Sequence, residues 1–158
     1  MPRILQRWAV LAVMFIFLAA PATAAEWPHP GTHSLASDKS LAQLVKALNG
    51  AIKENGMFAV TKASASAGAK RRGVDIAGNM VIGVFRNDFA VRMLAASIEA
   101  GIEAPLRFYI TDDGDGSATL TYRIPSAIFA PYGTAALDEM AGELDAIFAA
   151  IAEQAVRQ

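Results

Sequence analysis

The sequence predicts an α+β domain, one twisted and mainly antiparallel sheet packed by amphipathic helices. Three observations carry that expectation. Residues 40–55 and 134–156 repeat their apolar positions at helical spacing. Leu106, Phe108 and Ile110 alternate with Arg107, Tyr109 and Thr111, and the alternation resumes at Leu120, Tyr122 and Ile124. Between these runs lies Asp112-Asp113-Gly114-Asp115-Gly116, a turn that closes a hairpin. Strands joined by a tight turn and separated by helices build a layered α+β fold.

The elements follow in order. Glu26-Trp27-Pro28-His29-Pro30-Gly31 has two prolines and a glycine, which forbid helix and favour an extended lead-in over residues 26–35. A first strand is expected around Thr32 to Ala36. Ser37 or Asp38 then caps a helix over Ser40 to Asn55, with Leu41, Leu44, Val45, Leu48 and Ile52 on one face and Gly56 as its stop. Met57 to Ser64 reads as a second strand. Ser64 to Gly73 is small, polar and basic, a loop or a short frayed helix. Met80 to Phe85 is an apolar run suited to a strand buried on both faces. Asn87-Asp88 opens a second helix with Phe89, Met93, Leu94 and Ile98 apolar, ended by Gly101. After the hairpin, Pro125 to Gly133 is a loop with helical character. Thr134 to Val156 closes the chain as a long helix with Leu137, Met140, Leu144, Ile147, Phe148 and Ile151 on one face. Residues 36–158 are expected to form one domain.

The first 25 residues carry an address. Arg3 and Arg7 precede an unbroken apolar run from Trp8 to Ala20, and Ala22-Thr23-Ala24 has the small-x-small pattern of a signal peptidase site. The run is shorter than the roughly 20 apolar residues a spanning helix needs, so cleavage after Ala24 or Ala25 is expected, leaving no membrane anchor. No Arg-Arg pair occurs ahead of it, which favours the general secretory route and disfavours export of a prefolded, cofactor-loaded chain. Removing Arg3 and Arg7 from a net charge of -1 leaves about -3, with no basic footprint for nucleic acid. The chain has no cysteine, which excludes thiol nucleophiles, Cys-zinc sites, iron–sulfur clusters, c-type haem and a lipidated cysteine. A soluble periplasmic domain without a cofactor is the expectation.

Candidate functional residues fall into small groups. Asn87 and Asp88 sit where a strand feeds a helix N-terminus, a position that can bind an anion with help from Arg86 and Arg92. The competing reading makes Asp88 the helix N-cap. Lys70, Arg71 and Arg72 lie between Gly68 and Gly73 without P-loop spacing and read as a solvated basic loop. His29 and His33, the two histidines of the chain, are the metal candidates, with no third ligand in sequence. Asp112 to Gly116 fails the EF-hand register and reads as a turn. Arg107, Tyr109 and Tyr122 are polar-tipped residues on adjacent strands that would offer a ligand a common sheet face, unless register sends the tyrosines to opposite faces. Asp138 and Glu139 belong to a solvated helix surface. No nucleophile motif occurs.

Phe85-Arg86-Asn87-Asp88, then Gly101-Ile102-Glu103-Ala104-Pro105-Leu106, the acidic-Gly turn and Tyr122-Arg123-Ile124-Pro125 follow an amphipathic helix ending at Gly56 and the small-residue segment Ala65 to Gly73. In that order they resemble the domain of unknown function 302 family, also called TT1751-like, over nearly all of the chain past the leader. The resemblance implies a fold similar to the TATA-binding-protein-like arrangement and a homodimer, and it implies no activity. Three departures accompany it. A histidine that members often carry is replaced by Ala65 or Ser66; the Phe-Gly-Asn-Pro turn becomes Phe85-Arg86-Asn87-Asp88; and a Gly-Thr step becomes Ala90-Val91. Two function classes follow: a noncatalytic module that binds a small molecule or a protein, or an enzyme of hydrolase or lyase type using carboxylate and arginine chemistry. The enzyme requires Arg86, Asn87, Arg107 and Tyr122 to converge in one concavity.

Overall fold

The computed structural model describes residues 27–157; the expected leader lies outside the described residues. Five strands and five helices follow one another: β1 (Thr32–Ser37), α1 (Leu41–Glu54), β2 (Phe58–Ala63), α2 (Ala65–Lys70), β3 (Asn79–Phe85), α3 (Asn87–Ala96), β4 (Leu106–Asp112), β5 (Ala118–Arg123), α4 (Pro125–Phe129) and α5 (Ala135–Arg157). The strands form one antiparallel sheet in the order β1-β5-β4-β3-β2. Two strands consecutive in sequence, β1 and β2, therefore hold opposite edges. The first strand expected around Thr32 to Ala36 is β1, which brings residues 32–35 of the lead-in into the sheet.

Local chemistry explains where the helices start and stop. Ser40 caps α1, because Gln43 sits three residues on and completes a reciprocal box: Ser40 Oγ accepts from Gln43 N at 3.4 Å and Gln43 Oε1 accepts from Ser40 N at 2.9 Å. The cap is thus later than Ser37 or Asp38. Gly56, at φ 71°, ends the helix in the left-handed region. The segment from Ser64 takes the helical alternative, with Ser64 Oγ accepting from Ala67 N at 3.0 Å to start α2. Gly101 does not end α3. Ser97, in extended geometry, closes it at Ala96, and Ser97 Oγ then accepts from Ala100 N to start a separate 3-10 turn over Glu99–Glu103. Thr134 Oγ1 accepts from Leu137 N and caps α5, while Lys39 Nζ donates to the Val156 carbonyl at 2.6 Å near its far end.

Helices α1, α3 and α5 cover one face of the sheet. The core face carries Ile82 and Val84 of β3, Leu106, Phe108 and Ile110 of β4, and Ala118, Leu120 and Tyr122 of β5, all buried. Against them pack Leu44, Leu48 and Ile52 from α1 and Leu137, Met140, Leu144, Phe148 and Ile151 from α5. Phe108 stacks on Phe148 with centroids 4.7 Å apart, and Tyr122 tilts against both at 5.3 and 5.9 Å. Such aromatic contacts add about 0.5–1.5 kcal/mol each beyond area burial. The strand at Met80–Phe85 is not buried on both faces. Ile82 and Val84 face the helices, whereas Val81 is half-buried on the other side and Gly83 offers no side chain there.

Candidate functional site

Among the described residues no helix covers the second face of the sheet, and register arranges its residues in rows. One row runs Thr32, Arg123, Arg107, Gly83, Thr61; the next runs Ser34, Thr121, Tyr109, Val81, Ala63. Arg107 and Arg123 come one step beyond Phe108–Tyr122, where the β4–β5 register ends, and both line one depression. Both are exposed. The ion pairs among the described residues engage Arg86, Arg92 and Arg157, and none reaches Arg107 or Arg123. Like charges on neighbouring positions of adjacent strands repel, so the two arginines carry a local electrostatic cost.

A shallow depression of about 710 Å³ surrounds the pair. Its floor includes Val81, Tyr109 and Thr121, and its rim is the arm that precedes β1, with Trp27 and His29 in edge-to-face contact at 5.2 Å. The volume lies within the range of about 300–1,000 Å³ of small-molecule sites. Among the described residues no aspartate or glutamate lines it. Thr121 is buried, its hydroxyl exchanging a 2.8 Å hydrogen bond with Ser34 Oγ.

The residues singled out in the sequence do not converge. Tyr109 and Arg107 share the open face, but Tyr122 pairs with Phe108 on the core face, where burial pushes its hydroxyl above the ordinary tyrosine range. Register thus sends the two tyrosine side chains to opposite faces of the sheet, although Tyr122 still borders the depression that holds Tyr109. The reason lies in alternation, since Tyr122 is in phase with buried Leu120.

Arg86, Asn87 and Asp88 lie elsewhere, at the start of α3. Arg86, not Asp88, holds the N-cap position and makes no capping bond. Asp88 sits within the first turn and accepts two hydrogen bonds from the Arg86 guanidinium at 2.7 and 3.0 Å, which hold its carboxyl below the usual range. The Arg86 guanidinium also lies 4.2 Å from the Phe89 ring centroid. Arg92 is taken by Glu143 in a two-point pair at 2.7 and 2.9 Å. The charges that would have recruited an anion are thus paired with carboxylates. The apolar cavity beneath them, lined in part by Phe89, Met93 and Leu144, measures about 30 Å³, room for no more than a water or two.

The remaining candidates are explained locally. In the hairpin turn Asp112 accepts from Gly114 N, Asp115 from Ser117 N, and Asp113 from Thr119 Oγ1, so all three carboxylates serve the loop, with Gly114 and Gly116 at positive φ. Lys70 lines a separate depression that also holds Asp75, while Arg71 and Arg72 are exposed. His33 stacks on Tyr122 at 5.6 Å, whereas His29 packs on Trp27. Among the described residues no three His, Cys, Asp or Glu side chains gather into a metal-binding group. Asp138 and Glu139 are exposed on α5. Sequence reasoning missed Arg123 and Trp27; the parity that puts Tyr122 inside also puts Arg123 outside.

These features define an α+β domain with one face of its sheet covered and the other open. A solved structure described as an uncharacterized conserved DUF302 protein from Bacillus stearothermophilus superposes on it with a TM-score of 0.73, covering 80% of this chain and 98% of that one at 16% identity. At that identity the likeness speaks for the fold. The family described as "Domain of unknown function DUF302" matches residues 33–155, and the chain belongs to it. No curated protein matches the sequence.

Proposed function

We propose that the chain is an exported, soluble, noncatalytic domain that binds a small anion on the open face of its sheet. The observation that carries this reading is Arg107 and Arg123, exposed on adjacent strands, without a carboxylate partner among the described residues, and lining one depression that no described acidic side chain lines. A bound anion turns their mutual repulsion into attraction, with charge-assisted hydrogen bonds from two guanidiniums. The separation of Arg86 and Asn87, at the start of α3, from Arg107 and Tyr122, which border the depression, favours binding over catalysis. Export rests on the leader at Met1–Ala25, whose removal would leave β1, beginning at Thr32, intact. No helix among the described residues is long and apolar enough to cross a membrane.

Native mass spectrometry of the protein recovered from the periplasm tests this directly. The expected spectrum shows the chain cleaved after Ala24 or Ala25 and carrying an anionic adduct that an Arg107→Gln, Arg123→Gln double variant loses. An unprocessed chain refutes export; an adduct retained by the double variant refutes the site. The same spectra report the homodimer, for which Val91, Leu94, Ile98 and Ile102, between 47% and 82% exposed along α3 and the turn after it, offer a second copy an apolar face.

A further inference from the structure

We infer that the ligand of the open face is a planar ring bearing acidic oxygens, an aromatic carboxylate or a ring carrying a phosphate. The inference rests on the anion-binding reading above and adds the chemistry of the depression outside its two arginines. Trp27 is 59% exposed and Tyr109 is 38% exposed, and both line the same depression. Their rings come from different parts of the chain, one from the arm before β1 and one from the middle of β4. His29 meets the Trp27 ring at 83°, an edge contact that supports the indole and leaves ring surface uncovered.

The rest of the floor is suited to a flat occupant. Val81 stands beside Tyr109 in the same row and lines the depression with it, whereas Gly83 beside Arg107 is covered and is not part of the lining. A Cβ at Gly83 would meet Thr61 Oγ1 and lie 2.9 Å from Pro105 Cγ, so neighbouring side chains already occupy that space. The depression thus combines two guanidiniums at one end, which read paired oxygens in a plane, with two large aromatic rings and a valine. An inorganic anion would use the arginines and leave the aromatic wall wet. A planar aromatic anion uses both at once, its ring over Tyr109 or Trp27 and its acidic group between Arg107 and Arg123.

Trp27 also supplies the assay, because the sequence has two tryptophans and the other, Trp8, lies in the leader. The processed protein is titrated, following indole emission and calorimetric heat, with phthalate, its saturated counterpart cyclohexane-1,2-dicarboxylate, adenosine monophosphate and inorganic phosphate. Phthalate or the nucleotide should bind about tenfold more tightly than both ring-free or saturated probes, and the preference between those two tells carboxylate from phosphate. Trp27→Leu should remove most of that preference while leaving phosphate affinity unchanged. Arg107→Gln or Arg123→Gln should weaken binding of every probe at least about tenfold, whereas an Arg71→Gln, Arg72→Gln control should not. Equal affinity for phthalate and the saturated diacid, still dependent on both arginines, overturns the planar ligand and leaves the anion site standing. Binding of no probe, or binding indifferent to Arg107 and Arg123, overturns both.

Discussion

Replacing Arg107 by Gln should make the unliganded protein more stable. Arg107 and Arg123 are exposed on adjacent antiparallel strands, one step past the last registered β4–β5 pair, with no carboxylate partner among the described residues. Two unit charges about 6 Å apart in water repel by about 0.7 kcal/mol, and measured cross-strand pairs span about 0.2–1 kcal/mol. Flexible guanidinium ends can splay, so a gain of about 0.2–0.7 kcal/mol is the working figure, or about 1–3 °C in Tm for a domain of this size. Calorimetric melting at about 20 mM and about 1 M salt separates charge from packing, because the Debye length shrinks to about 3 Å in the latter. The gain should appear at low salt and vanish at high salt, and Arg107→Lys should show none of it. A fall in Tm at low salt, or an equal rise at both salt concentrations, refutes the reasoning that these charges are held together unfavourably.

Two further outcomes follow from the packing and the ion pairs. Gly83→Ala places a methyl against Thr61 Oγ1 and Pro105 and should cost about 1–3 kcal/mol by overpacking, part of which Thr61→Ala restores in the double variant; urea unfolding of the three variants reads both effects, and an additive double variant contradicts the contact. The pH profile of Tm should be flat from about pH 5 to about pH 9. On the acid side Asp88 is held low by its Arg86 hydrogen bonds, Glu143 by those from Arg92, and Asp115 by Ser117. Carboxylates with depressed folded values contribute stability above their unfolded pKa and lose it as pH falls through the folded value. Tyr122, raised by burial, and Tyr132, raised by its hydrogen bond to Glu103, contribute below about pH 10 and lose that contribution as pH rises through their folded values. A Tm that does not fall as the pH drops below about 4 would contradict this assignment.

The fold was largely legible because its strongest signals are local. Hairpin alternation, the spacing of Leu44, Leu48 and Ile52, and the apolar stripe of the last helix all survive into the sheet and the helices that cover it. Boundaries moved where a side chain outcompeted a backbone preference. Gln43 makes Ser40 the cap, and extended Ser97 ends α3 before Gly101 is reached. The candidate site was legible only in half. Arg107 and Tyr109 stood out as polar residues on a strand, yet their neighbours depend on which strand lies beside which, and Trp27 reaches the face from an arm with no periodicity to betray it. The start of α3 misled for the opposite reason: sequence shows the cations Arg86 and Arg92 but not that Asp88 and, 51 positions away, Glu143 neutralise them.

The strand order also governs when the protein can finish folding. The β2–β3 and β4–β5 pairs join nearby segments, whereas β1 must find β5 across a gap that the Ser34–Thr121 hydrogen bond puts at 87 residues. Contacts of such separation form late, because the chain loses the entropy of the loop before it gains the pairing. The strand nearest the N-terminus is thus the last to be sealed, and Arg123 gains its row neighbour Thr32 and the Trp27 arm only at that step. The export proposed above meets no conflict with this order: a chain drawn N-terminus first through a secretion channel would pair β1 with β5 only once nearly all of it had emerged.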